Sequence, residues 1–326
     1  MVVNTKPFKT LNQQLKILRD RGLDVPSNAK RSLEQNGYYA IVNGYKWSFL
    51  QRDSRGKVIS PEQFVQGSTF NELQNLYDFD RDLRSILFEA LLKYENTLSA
   101  TLSYRFSEAY SDEHSYLAID NFSRDPQKVQ SVVRTISSLS NVVNRKSSQK
   151  NAIRHYVNKH RHVPLWVLVN FLTFGDLNYF YQIMTDDLRL TVAKDFTAFQ
   201  RRAYPGKFRV GISPLAIDST NHLVNHFRNA VAHGEVTFSK KISKTPSLQP
   251  VKSILSDQSL PLNSQAGIFE LLIVLRMVLT KKDYKKLNRG INELLKNYKG
   301  EFNSISFNSI LNDMNFPQNY QNYLDI

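Results

Sequence analysis

Thr69-Phe70-Asn71-Glu72-Leu73-Gln74-Asn75-Leu76 is the stretch on which the reading of the fold turns. Threonine followed three residues later by glutamate is a capping box, in which each side chain satisfies a free backbone N–H at a helix start. From that cap Leu73, Leu76, Leu83, Leu87, Leu91, Tyr94, Leu98 and Leu102 recur at helical spacing to about Tyr110, so one long central helix is predicted.

On both sides of this stretch helical signals dominate. Thr10-Leu11-Asn12-Gln13 is another capping box, with Leu11, Leu15 and Leu18 leading to Gly22, and a short helix is predicted from 27 to about 36, ended by Gly37. The aromatic segment from Tyr38 to Phe49 reads as a packed corner, although its rings among Lys and Arg also suit base stacking. Ser60-Pro61-Glu62-Gln63 and Asp125-Pro126 read as helix starts with proline at the first position. Pro164 opens an apolar run to Phe174 that reads as one buried helix closed by Gly175. Another helix is expected near 187–196, then one opened by Ser213-Pro214 and closed by Gly234. An apolar helix at 268–279, a basic amphipathic one at 281–299 and a short one near Ser309 complete the chain. The fold class is therefore all-α: an N-terminal lobe at 1–68, a helical core at 69–236, and a basic loop with further helices at 237–326 packing on it.

Composition narrows the function. Hydrophobic residues make up 41% of 326 residues, ordinary for a globular chain, and no run approaches the ~20 apolar residues that span a bilayer. The N-terminus lacks a signal peptide's apolar region, so a cytoplasmic protein is expected. With no cysteine, disulfides, zinc ribbons and thiol nucleophiles are excluded. A net charge of +14 favours a polyanionic partner, most simply nucleic acid. No Gly-rich phosphate loop or nucleophile elbow is present, which argues against nucleotide hydrolysis and serine chemistry.

Asn225-His226-Phe227-Arg228-Asn229-Ala230-Val231-Ala232-His233-Gly234 places an arginine, an asparagine and a histidine at the end of a helix. A guanidinium suits a phosphate and an imidazole exchanges a proton near neutrality. RNA supplies its own nucleophile in the 2′-hydroxyl, so a base or acid and a cation suffice to cleave it. Residues five apart differ by about 140° on a helix, so Arg228 and His233 do not share a face, whereas Asn229 and His233 do. Either the helix loosens before Gly234, or a second copy of the motif completes the site across a two-fold axis. His233 also suits a plain helix end, where a cationic imidazole meets the negative pole of the dipole.

Two segments are candidates for holding phosphates. Arg145, Lys146, Lys150, Arg154, Lys159 and Arg161 lie in a stretch without acids, and Lys240, Lys241, Lys244 and Lys252 lie in a Ser- and Pro-rich stretch expected to be a mobile loop. His155, His160 and His162 have no carboxylate among them, and Asp218, His222 and His226 at helical spacing offer only one, so no metal is expected at either.

Arg228-x4-His233, with Asn229 after the arginine, resembles the R-x4-6-H motif of HEPN ribonucleases. Gly37-Tyr38-Tyr39 with Asn43-Gly44-Tyr45, the run from Tyr77 to Arg84, and Pro164-Leu165-Trp166 followed by Phe174-Gly175 resemble, in that order, the Abi family of bacterial abortive-infection proteins, the AbiD/AbiF-like group. The likeness runs from about Phe8 to His233. Members commonly carry a second histidine and an arginine just after the motif histidine, where this chain has Gly234-Glu235. The resemblance implies a HEPN-type helical bundle and a metal-independent endoribonuclease. In it Arg228 would bind the scissile phosphate, His233 would move the proton and Asn229 would orient either. It further implies a polar residue from an early helix supporting the motif, for which Glu95 is the candidate. Phage defence by growth arrest, a homodimer through the motif helix and restraint by a partner such as a small antitoxin RNA complete the expectation. A non-catalytic RNA-binding protein is the alternative.

Overall fold

A computed structural model describes residues 7–243, 245–257 and 259–324. It is all-α: the described residues form helices and isolated bridges, with no strand among them. The Thr69 capping box starts a 40-residue helix, α3 (Phe70–Ala109), roughly 60 Å long at 1.5 Å per residue. Leu73, Leu76, Leu83, Leu87, Leu91, Leu98 and Leu102 along it are fully buried. So long a stripe requires cover from several elements in succession. Before α3 come α1 (Leu11–Asp20) and α2 (Ala29–Asn36). After it come α4 (Val129–Ser147), α5 (Ala152–His160), α6 (Leu165–Leu168), α7 (Phe174–Ile183), α8 (Asp186–Ala203) and α9 (Pro214–Ala232). The C-terminal part adds α10 (Gln249–Ile254), α11 (Ile268–Val278), α12 (Lys281–Tyr298), α13 (Phe307–Asp313) and α14 (Gln321–Leu324). α12 runs alongside α3, while α6, α7, α8 and α9 cover its other sides and α4 packs outside α7.

Three local expectations are corrected. Ser60-Pro61 starts no helix: Phe64 and Val58 bridge to Leu50 and Arg52, and Glu62 is taken by Lys46 at 2.7 Å and Arg21 at 2.6 Å. The run from Pro164 to Gly175 is two pieces, because Thr173 and Asp176 form a capping box that starts a new helix. Gly175 therefore lies inside the first turn of α7, where a Cβ would sit 3.6 Å from the Asn225 amide oxygen of α9. The stretch after 237 is folded onto the body, with Phe238, Ile242, Leu248, Val251, Ile254 and Leu260 buried. Its apolar residues recur every few positions among the lysines and serines, and they outweigh the polar composition. Lys244 lies outside the described residues.

Two arginines of α3 are drawn into the body, while Arg81 and Lys93 stay exposed. Arg105 forms a two-pronged pair with Asp195 of α8 at 2.6 Å, and Arg84 pairs with a fully buried Asp80 at 2.5 Å. Lys46 and the ring of Tyr45 are buried too, so the aromatic segment is largely a packed corner, with Tyr39 and Trp47 left exposed.

Candidate functional site

Ser213 caps α9 by accepting the Ala216 N–H, Pro214 occupies the first turn, and Ala216, Ile217, Leu223, Val224, Phe227 and Ala230 bury its inner face. A buried hydrogen bond of 2.6 Å from the Tyr94 hydroxyl to the Asn221 amide oxygen pins α9 to α3. The residue after Tyr94 is Glu95, and its carboxylate accepts from the Arg228 Nε at 3.3 Å. Two positions 133 apart in sequence are thus joined. The pair is partly buried, with side chains 26% exposed for Arg228 and 13% for Glu95. Because the carboxylate engages Nε, the two terminal nitrogens of the fork are left for a ligand.

His233 is the C-cap residue of α9, its N–H still bonded to the Asn229 carbonyl at 3.0 Å. Gly234, at φ +68, turns the chain; its N–H reaches Val231 O at 3.3 Å and that of Glu235 reaches Ala230 O at 2.9 Å, a Schellman ending. The His233 and Asn229 side chains are exposed, and the helix does not loosen before Gly234. Arg228 and His233 therefore stay on different faces of one helix, and a single α9 does not bring them onto one phosphate.

Sequence reading missed what holds the turn beyond His233. Arg84 donates both to Asp80 and to the Glu235 carbonyl, the latter at 3.2 Å. Asp80 also accepts the Tyr45 hydroxyl at 2.7 Å and the backbone N–H groups of Thr237 at 3.0 Å and Phe238 at 2.7 Å. Burial raises the Asp80 carboxyl above the usual range, opposed by Arg84 and these donors. One buried carboxylate thus gathers the aromatic corner, α3 and the stretch of chain leaving α9. The i, i+4 spacing of Asp80 and Arg84 was the available signal.

Around the same helix end, Lys240 pairs with Glu235 at 2.8 Å, which holds that carboxyl below its ordinary range with burial opposing and His233 assisting. Lys241 is hydrogen-bonded to Asn315. Both lysines are thus engaged within the protein. On the outer face of α9 the rings of His222 and His226 meet edge to face at 4.7 Å between centroids. Burial holds both imidazoles below their ordinary range, with His226 adding to the effect on His222 and Lys240 to that on His226. Asp218 is bound by Arg189 of α8, and no group of three potential metal ligands occurs among the described residues.

Arg145 and Lys146 end α4, and Arg154 and Lys159 lie on α5 with Lys150 and Arg161 at its two ends. Lys150, Arg154, His155 and Lys159 line an open depression of about 520 Å³ together with Asn151 and Asn158. Arg145, Lys150, Arg154, Lys159 and Arg161 are exposed, and Lys146 is half-buried. α5 packs on α4 and α6.

No helix among the described residues is long and apolar enough to cross a membrane. No curated protein and no solved structure matched the chain. The family model described as Abi-like protein matches residues 31–239, a span that begins in α2 and ends just past the turn locked by Asp80 and Arg84. With well over half its length inside that match, the chain belongs to the Abi-like protein family.

Proposed function

We propose that the protein is a metal-independent endoribonuclease acting in phage defence by abortive infection. Membership of the Abi-like family points to the defence role. The observation that carries the enzymatic reading is the Glu95–Arg228 pair beside the exposed Asn229 and His233. Glu95 fixes the guanidinium so that its free edge meets the scissile phosphate and the charge that builds on it. His233 takes the 2′-hydroxyl proton or supplies one to the leaving 5′-oxygen, and Asn229, one turn before it, orients the imidazole or a phosphate oxygen. Attack by the 2′-oxygen breaks the P–O5′ bond, leaving a 2′,3′-cyclic phosphate and a 5′-hydroxyl. Because Arg228 and His233 diverge on one helix, the complete site takes both from two α9 helices facing each other in a homodimer. The cations of α5 hold RNA beyond the cleavage point. A partner, such as a small antitoxin RNA, restrains the activity until infection.

A second reading is favoured by one feature: His233 is an exposed helix C-cap, a position that the dipole alone explains. In that reading the protein binds RNA without cutting it. Expression of wild type and of Arg228→Ala in a bacterial host separates the two. The enzyme reading expects growth arrest by wild type alone and normal growth of the variant. Equal growth of both strains would contradict the toxic activity.

A further inference from the structure

A second group of cations, apart from α5, is assembled where α8 ends and α12 begins. The Gln200 amide donates to the Leu279 carbonyl at 2.9 Å, fastening the last turn of α8 to the entry of α12. The Lys281 ammonium lies 5.3 Å from the centre of the Tyr204 ring. Gly206, at φ +76, turns the chain after α8, and Arg201 holds the turn folded back by donating to the carbonyls of Phe208 and Arg209, each at 3.1 Å. Arg202, Lys207, Arg209, Lys281 and Lys282 are thereby brought to one exposed region from two distant segments. Two nearby acids are neutralised by cations outside the group, Asp195 by Arg105 at 2.6 Å and Glu89 by Lys286 at 2.6 Å, which leaves Asp283, held by the Thr280 hydroxyl at 2.6 Å, as a single negative charge among five positive ones. Positive charge concentrated in such excess over its counter-charge draws a polyanion. At its edge the Phe199 ring is 44% exposed, with the Arg202 guanidinium 5.1 Å from its centre, which offers a stacking face for a base.

We propose that this surface binds the phosphate backbone of single-stranded RNA, with an unpaired base stacked on Phe199 and Arg202. The inference rests on RNA being the partner of this protein, and places a binding region on the α8–α12 side of the body, separate from α5. A duplex hides its base faces and would leave Phe199 unused. An anionic membrane would meet the same charges but needs a broad apolar face to enter, and here little beyond Phe199 and Val210 is exposed.

The test uses the full chain carrying His233→Ala, so that RNA stays intact, with binding to a labelled unstructured RNA followed by fluorescence anisotropy across a salt series. Replacing Arg202, Lys207, Arg209 and Lys282 together with Gln should flatten the slope of log K against log salt by about 0.7 for each phosphate no longer neutralised. Phe199→Ala alone should weaken binding of the single strand about fivefold or more and leave binding of the same sequence as a duplex unchanged. An unchanged salt slope in the four-site variant overturns the proposal. So does a Phe199→Ala protein that holds the single strand as tightly as its parent. Loss of binding to phosphatidylserine vesicles with RNA binding intact overturns it in favour of a membrane. The nuclease reading is judged separately, by cleavage in the protein with His233 restored, so either idea can fail without the other.

Discussion

Arg84→Met tests the buried junction behind the motif. Arg84 is 11% exposed and Asp80 0%, so the substitution strips a buried carboxylate of its countercharge and the Glu235 carbonyl of a donor. Breaking a buried ion pair from one side costs about 3–5 kcal/mol. Three neutral donors remain on Asp80, from Tyr45, Thr237 and Phe238, which places the loss near the lower end, about 3 kcal/mol. Denaturation in guanidinium chloride, followed by far-ultraviolet circular dichroism, reads it. The loss also has a pH signature. Burial raises the folded-state Asp80 carboxyl above its unfolded value, and without Arg84 the rise is larger. A raised acid contributes stability that is complete below the unfolded pKa and disappears as pH climbs through the folded one. The deficit relative to wild type should therefore shrink as pH is lowered toward the unfolded aspartate value of about 3.9. A variant within about 1 kcal/mol of wild type, or a deficit as large at the acidic end, would refute the view that this pair secures the turn.

Other outcomes follow from the same geometry. Glu95→Gln should lower turnover by tenfold to about a hundredfold, since Arg228 loses its fixed position, while RNA affinity holds or tightens because a negative charge is gone; a single-turnover assay beside a binding curve separates the two. Replacing Lys146, Lys150, Arg154 and Lys159 with Ala should flatten the salt slope of RNA binding by about 0.7 per phosphate released and leave cleavage of saturating substrate little changed. His222 and His226 have folded-state values below the unfolded one, so on acidification the unfolded chain takes up these protons before the folded one does. Stability should fall as pH drops through about 6.5 toward their folded values, and a His222→Gln, His226→Gln protein should lose less over that window in thermal melts.

The helical scaffold was legible because its signals are local. Thr10, Thr69 and Ser213 announce α1, α3 and α9 through side chains that reach only three residues ahead, and the leucines of α3 carry their own period. Errors arose where two local signals competed. Proline after serine at Ser60-Pro61 imitates a helix start, and the apolar run to Phe174 conceals the Thr173–Asp176 box that restarts the helix. The site was legible only in part. Arg228, Asn229 and His233 could be picked out as a cluster, and Glu95 as a partner, but their relation depends on how α3 crosses α9, which Tyr94 and Asn221 determine. Asp80 and Arg84 look like a surface pair at i, i+4 until Tyr45 and Phe238, from opposite ends of the family match, close over them. Likewise the lysines at 240 and 241 suggest a free polycation, yet Glu235 and Asn315 engage them.

A chemical step by Arg228 and His233 that needs no metal is the core of the proposed function, and it is tested by cleavage of labelled RNA in EDTA with identification of the product ends. Wild type should cut and leave 2′,3′-cyclic phosphate and 5′-hydroxyl ends, while His233→Ala and Arg228→Ala bind RNA and leave it whole. Cleavage by His233→Ala at the wild-type rate, or tight binding with no cutting by wild type itself, is incompatible with that step.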